Sequence, residues 1–317
     1  MEHNCYITIF TPTYNRGYLL NNLFESLLKQ NIKNFEWIIV DDESTDDTEK
    51  IISEWSRRNN NFPIRYLKQQ HGGKHRAINK GIKLAKGKFF FIVDSDDSLI
   101  ENATELVEKW CKEIEDRKDI AGVSGMKISK GLFLGGDPKI DKGHNWVEAS
   151  NLEREKYHLG GDKAEVYKTD ILKKYSFPEF EGEYFITEAV CWNAIAADGY
   201  KIRWYSQPIY QCEYLEDGLT KNDANGISGS IENYKGYCYY ISQCLKVKNV
   251  WGWSGNLRQY NKVAKALKKN WKQRADDLKI TNGKYMLIRL VVFPCVYTAK
   301  FFYKSFCMLN VMFRKRG

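Results

Sequence analysis

The sequence predicts a doubly wound α/β domain with a mostly parallel sheet, followed by a helical, basic extension. Three observations lead there. Over the first 125 residues short β-rich runs alternate with amphipathic stretches of helix length. Acidic and glycine-rich clusters stand directly after the apolar runs, and the last quarter of the chain turns basic and aromatic.

The strand candidates, in order, are Tyr6–Phe10, Glu36–Val40, Ile64–Lys68, Lys88–Val93 and Ile120–Ser124. Helix candidates Gly17–Gln30, Asp46–Asn59, Lys74–Ala85 and Glu101–Glu115 fall between them, each long enough for a right-handed crossover. Residues Gly131–Lys156 are rich in Gly, Asp, Lys and Asn and read as loops, and periodicity returns over Tyr157–Tyr214. A polar, glycine-containing stretch at 216–235 reads as a mobile connection. Leu257–Lys279 reads as one basic amphipathic helix with Leu257, Tyr260, Val263, Ala264, Leu267 and Trp271 on its apolar face. The expected division is therefore 1–215, a helical extension at 216–282, and an amphipathic basic tail at 283–317.

With 43% hydrophobic and 28% charged residues the chain is globular in composition, neither disordered nor fibrous. Its net charge of +9 is uneven, since residues 246–317 carry 17 Lys/Arg against two acids. Such a segment calls for an acidic partner. Its wealth of Leu, Val, Phe, Met and Tyr points to an anionic membrane surface and away from nucleic acid. The apolar run Tyr285–Phe313 is interrupted by Arg289, Lys300 and Lys304, and its longest uncharged part, Leu290–Ala299, is too short for a span of about 20 residues. On a helix those three cations share one face, so the segment is expected to lie in the interface, divided by Pro294. Packing on the protein, or in a dimer, is the alternative. The eight cysteines are scattered without metal or redox spacing and are expected to be reduced. No signal-peptide pattern opens the chain, and the expected location is cytoplasmic, peripheral on the cytoplasmic face of a membrane.

Ligands of open α/β sheets bind beyond the carboxyl ends of the strands. Thr11-Pro12-Thr13-Tyr14-Asn15-Arg16 follows the first strand, Asp41-Asp42-Glu43-Ser44-Thr45-Asp46 the second, and Asp94-Ser95-Asp96-Asp97 the fourth. Three acids delivered into one turn without a neighbouring Lys or Arg repel one another. A divalent cation relieves this, and Mg²⁺ or Mn²⁺ suits a few carboxylates plus phosphate oxygens. The simpler alternative is a solvated turn whose Ser95 or Asp97 caps a helix. Asp46 and Glu49 fit helix capping, whereas Asp41 and Asp42 fit acceptors for a base N–H or ribose hydroxyls, with Tyr14 stacked on the base. Gly72-Gly73 opens a basic helix carrying Lys74 and Arg76, which favours a diphosphate. His71 and His75 lack a third metal ligand nearby and are given a non-metal role.

Taken together, TPTYNR, VDDESTDD, HGGKHRAINKGI and FIVDSDD resemble the family 2 glycosyltransferases of GT-A fold, and the resemblance runs to about residue 215 through GGDKAEVYKTDIL, FPEFEGEYFITEAVCW and DGYKIRWYSQPIY. It implies a nucleotide-binding half at 1–125 and an acceptor half at 126–215. It implies further that Thr11, Pro12, Thr13 and Tyr14 line the nucleotide, that Asp42 bonds the base with Asp41 beside it, and that Asp94-Ser95-Asp96 is the DxD motif, with Asp94 and Asp96 as metal ligands. Family members are inverting enzymes with an acidic base at the start of a later helix. Here Glu188 takes the place usually held by Asp, with Asp162 and Glu183 as the other candidates.

The implied reaction is direct displacement: a sugar passes from a nucleoside diphosphate, expected to be UDP, to an acceptor hydroxyl deprotonated by Glu188. The tail suits a lipid-linked or growing cell-surface saccharide as acceptor. A nucleotidyltransferase and a non-catalytic nucleotide-sugar binding protein at the membrane are the competing readings.

Overall fold

A computed structural model describes residues 5–59, 61–136, 138–213, 227–247 and 250–287. The chain forms two compact units, Met1–Asn222 and Asp223–Gly317. In the first unit strands β1 (Ile7–Thr13), β2 (Phe35–Asp41), β3 (Ile64–Lys68) and β4 (Phe89–Ile92) alternate with helices α1 (Gly17–Leu28), α2 (Thr48–Arg58) and α3 (Lys74–Leu84). After β4 come β5 (Ser98–Leu99), α4 (Ala103–Ile114), β6 (Ile120–Ser129), β7 (Leu132–Phe133) and β8 (Trp146–Ala149). The unit closes with β9 (Lys163–Lys168), α5 (Thr169–Leu172), α6 (Ala189–Ala197) and β10 (Lys201–Gln211).

The sheet runs β3-β2-β1-β4-β9-β6-β10-β5, with β7 on β6 and β8 on β10. The pairs β3–β2, β2–β1, β1–β4 and β6–β10 are parallel, while β9 lies antiparallel between β4 and β6. Both faces of β4 are covered, so Phe89-Phe90-Phe91-Ile92 is apolar throughout and not alternating. Phe89 and Phe91 point into the core beneath α1 and α4, and Phe90 joins Phe10, Ile38 and Ile78 on the opposite face. Burying one such ring contributes about 1.5–3 kcal/mol. β1 and β2 each run past the predicted end, to Thr13 and Asp41, because Thr13 pairs with Asp41 in register.

Two expectations are corrected. Residues 131–156 are not all loop: Trp146–Ala149 forms β8, where Glu148 holds Arg203 at 2.7 Å and Arg203 lies 4.1 Å over the Trp146 ring. The expected helix Leu257–Lys279 is two helices in the second unit, whose helices are α7 (Ser228–Glu232), α8 (Tyr234–Val247), α9 (Val250–Ala266), α10 (Trp271–Asp277) and α11 (Asn282–Leu287). The break falls where Lys268 adopts φ 54° and Asn270 caps α10, its Oδ1 accepting from Gln273 N at 3.0 Å. Leu257, Tyr260, Val263 and Ala264 are buried as predicted, whereas Trp271 is exposed. The expected connection lies outside the described residues up to Asn225-Gly226, and Ser228–Glu232 within it is helical. Of the tail at 283–317, residues 288–317 lie outside the described residues. Among the described residues no helix is long and apolar enough to cross a membrane.

Candidate active site

The crevice forms where β1, β2 and β4 end. Asp94, Ser95 and Asp96 occupy the turn after β4, in which the Asp97 amide donates to the Asp94 carbonyl at 3.2 Å and the Asp94 amide donates to Tyr210 Oη at 2.9 Å. Lys74, the first residue of α3, reaches across to Asp94 Oδ1 at 2.6 Å and to Glu188 Oε1 at 2.8 Å. Glu188 stands immediately before α6. One ammonium thus gathers an acid of the predicted DxD motif and the predicted base. Burial works against the charged Lys74, but Asp94 and Glu188 outweigh it and raise its pKa. Burial likewise opposes ionisation of Asp94, and Lys74 and Lys127 outweigh that and hold its carboxyl below the usual range.

The remaining acids of the turn move the other way. Burial and then the Asp94 charge raise the pKa of Asp96, and the same two causes push Asp97 up to about 6. Asp97 is buried, its Oδ1 accepting from the Glu213 amide at 3.1 Å. Among the described residues no three His, Cys, Asp or Glu side chains gather as a metal cage. The pair Asp94 and Asp96 fits a hard ion that takes few protein ligands and completes its shell with water and phosphate, and the part of the Asp96 shift that comes after burial, the Asp94 charge, is repulsion such an ion would relieve.

The second acidic cluster is used differently. Asp41 is fully buried, with Oδ1 accepting from Ser44 N at 2.7 Å and Oδ2 from Tyr66 Oη at 2.6 Å. Asp42 accepts from Gly72 N at 2.9 Å, Gly73 N at 2.7 Å and Gln69 Nε2 at 2.7 Å, and lies 2.9 Å from His71 Nδ1. The two glycine amides therefore turn toward Asp42. Gly73 is required here: its φ is +92°, and a Cβ would stand 1.8 Å from the Tyr184 carbonyl oxygen. Arg76 does not enter the crevice, because its guanidinium donates to the carbonyls of Gly72, Phe180 and Glu183 at 2.6–2.8 Å. It fastens the segment before α6 to α3.

At the end of β1 the Thr11 hydroxyl accepts from Trp37 Nε1 at 3.0 Å, Pro12 is half-buried, and the buried Thr13 hydroxyl has no hydrogen-bond partner. Tyr14 is exposed and stacks on His71 at 4.4 Å, which stacks in turn on Tyr184 at 4.9 Å. His71 and His75 sit in no metal cluster among the described residues, and His75 is buried. Of the other base candidates, Asp162 is exposed at the start of β9, and Glu183 is buried with its carbonyl on Arg76.

Sequence reasoning overlooks several residues of the crevice. Its inner wall comprises Ile92, Asp94, Lys127, Lys163, Glu165, Glu188 and Trp192. Burial raises the pKa of Glu165 while Arg154 and Lys127 oppose it, and Lys127 lies 4.2 Å over the Tyr210 ring. The available signal was an ionisable residue between apolar neighbours in each of two strands, Met126-Lys127-Ile128 and Ala164-Glu165-Val166.

Comparison with known proteins places these features in a lineage. The family described as "Glycosyl transferase family 2" matches residues 8–175. Glycosyltransferase GlyG of Streptococcus pneumoniae is 40% identical over 34% of this chain and 35% of its own length. A poly(ribitol-phosphate) beta-glucosyltransferase of Bacillus spizizenii is 30% identical over 54% of this chain and 27% of its own. The chain thus spans about a third or less of the length of these relatives. Among solved structures, residues 1–349 of S. aureus TarS in complex with UDP-GlcNAc superpose with a TM-score of 0.62 at 21% identity, covering 89% of this chain and 81% of that one. The mannosyltransferase PcManGT of Pyrobaculum calidifontis, in complex with GDP-Man and Mn²⁺, gives 0.52 at 16% identity, covering 82% and 75%. These likenesses establish the expected GT-A fold. With its signature segments at the strand ends that frame the crevice, and a family match over more than half its length, the chain belongs to glycosyl transferase family 2.

Proposed function

We propose that the chain is an inverting glycosyltransferase that moves a sugar from a nucleoside diphosphate, UDP in our reading, to an acceptor hydroxyl of a lipid-linked or growing cell-surface polysaccharide. The observation that carries the reading is the Lys74 bridge, which sets Asp94 and Glu188 within two hydrogen bonds of each other at the strand ends. The TarS complex with UDP-GlcNAc supports the donor class, and the name of the Bacillus spizizenii poly(ribitol-phosphate) beta-glucosyltransferase supports a polymeric acceptor.

In this reading Thr13 and Tyr14 line the nucleotide, and Glu188 accepts the proton of the attacking hydroxyl. Lys74 would favour departure of the diphosphate with its positive charge. Asp94 and Asp96 would hold Mn²⁺ or Mg²⁺, which supplies Lewis-acid stabilisation of the leaving group. Residues 283–317 would hold the protein on the cytoplasmic face of an anionic membrane, close to a lipid-linked acceptor.

A screen of nucleotide sugars with purified protein tests the reading. Metal-dependent release of free nucleoside diphosphate, with the sugar appearing on an acceptor, is expected. Release of pyrophosphate would identify a nucleotidyltransferase instead, and donor binding without transfer or hydrolysis would leave a binding protein.

A further inference from the structure

The second unit carries a cleft of about 320 Å³ lined by Arg258, Asn261, Lys262, Lys265 and Arg274. Four of these five residues are cationic and none is acidic. The arrangement follows from helix geometry. Arg258, Asn261, Lys262 and Lys265 stand at i, i+3, i+4 and i+7 on α9 and so share one face, and Arg274 closes the cleft from α10. The Arg274 guanidinium is fixed, with Nε donating to the Lys269 carbonyl at 2.8 Å and an Nη to Asn261 Oδ1 at 3.2 Å.

The acids nearest in sequence to these cations are few. Residues 246–317 hold two, Asp276 and Asp277. Asp277 accepts from Tyr234 Oη at 2.7 Å and pairs with Lys269 at 3.3 Å, and Asp276 is exposed. The opposite face of α9 is spent on the unit's own core, where Leu257, Tyr260 and Ala264 pack with Ile241, Ala275 and Leu278. The described part of α9 therefore has no apolar face for insertion into lipid, only a concave basic one.

A third contact fixes where the cleft lies along the chain. Tyr285, the first residue of the apolar, cation-bearing segment 285–313, is buried and donates from Oη to Asn261 Oδ1 at 2.6 Å. Asn261 is part of the cleft lining. The first residue of the segment assigned to the membrane interface is thus fastened to the wall of the basic cleft.

We propose that this cleft binds the phosphate of an anionic phospholipid headgroup, as a site distinct from the crevice after β4. It rests on the membrane placement of the tail proposed above. The cleft supplies charge-assisted hydrogen bonds to one phosphate.

Co-sedimentation of the full chain with phosphatidylcholine vesicles, with and without phosphatidylglycerol, tests the proposal. Wild-type protein is expected to bind the phosphatidylglycerol vesicles preferentially. Neutralising three exposed cations in R258Q/K262Q/K265Q should weaken that binding by roughly a hundredfold, since each basic side chain near an anionic surface contributes about fivefold. The K262R/K265R variant should bind as wild type. Nucleoside-diphosphate release from a soluble donor should be unchanged in both variants, and far-ultraviolet circular dichroism matching wild type reports that their helical unit folds. A triple variant that binds phosphatidylglycerol vesicles like wild type overturns the cleft assignment and leaves the tail untouched. Wild-type protein that binds no vesicle overturns the membrane placement, and the cleft with it. A soluble polyol-phosphate polymer that displaces wild-type protein from vesicles at micromolar phosphate, but has no effect on residual binding of the triple variant, would reassign the cleft to a polymer.

Discussion

The Lys74 ammonium lies 2.6 Å from Asp94 Oδ1, so the acid that opens the predicted DxD motif carries a partner supplied by a different strand-to-helix junction. Its second contact, with Glu188 at 2.8 Å, makes Lys74 the common neighbour of both acids. Lys74→Met leaves those carboxylates without the cation they share. Nucleoside-diphosphate release should fall by about 10²–10³, the cost of removing one preorganised electrostatic group. Lys74→Arg should retain more activity than Lys74→Met, and steady-state assays of the two variants check the order.

Glu188→Gln keeps the shape of the side chain and removes its capacity to accept a proton. Transfer to acceptor should slow by roughly 10²–10⁴, while the donor still binds. Calorimetry with a nucleotide sugar and an acceptor-dependent rate assay separate the two effects. Normal turnover by the purified variant would move the base to another residue.

Asp42→Ala removes the acceptor for the amides of Gly72 and Gly73 and for the Gln69 side chain. Leaving one such buried donor unpaired costs about 1–3 kcal/mol, so a comparable loss in urea-unfolding free energy is expected. Gly73→Ala should destabilise by a similar amount, because a Cβ at φ +92° meets the Tyr184 carbonyl. Gly143→Ala is the useful contrast, since that glycine also has φ +92° but nothing near its Cβ, and it isolates the backbone strain from the clash.

Asp97 supplies a pH signature. Its folded pKa is raised, by burial and then by Asp94, to about 6 from 3.8. A raised carboxyl favours the fold while protonated, so its contribution is full below about pH 4 and is lost as pH climbs to about 6. At neutral pH the ionised group costs up to about 3 kcal/mol. Asp97→Asn, which keeps an oxygen for the Glu213 amide, should be more stable than wild type at pH 7.5, with the gap closing toward pH 4. Urea-unfolding midpoints at several pH values check this.

The parts of the fold legible in the sequence are those fixed by local pattern. Phe89-Phe90-Phe91 announces a strand buried on both faces, and α1 shows its buried side at Leu20, Leu23, Phe24 and Leu27. The insertion of β9 between β4 and β6 depends on pairings such as Phe90 with Tyr167, which no local periodicity encodes. Trp146–Ala149 is a strand because β10 lies beside it, and four residues among Gly, Asp and Lys carry too little pattern to say so. The break between α9 and α10 was written in the chain as Asn270 followed three residues later by Gln273, a capping box hidden by the continuing apolar period.

The site divides along the same line. Strand-end motifs led to Asp94, Asp96 and Lys74, because a motif after a strand is a local signal. They did not foretell that Asp42 would be engaged by the glycine loop, or that Arg76 would hold the segment ahead of α6, since both depend on partners distant in sequence. Lys127 and Glu165 escaped for the converse reason: a charge between apolar neighbours in a strand is ambiguous until the sheet order brings both to the wall that Asp94 shares.

Diffraction from crystals soaked with UDP and manganese, recorded at a wavelength where manganese scatters anomalously, addresses the donor site directly. One strong peak is expected, bound by Asp94 and Asp96 and by oxygens of the diphosphate, with Lys74 withdrawn from Asp94. Nucleotide bound in the crevice with no peak there, and Lys74 still seated on Asp94, would contradict that expectation.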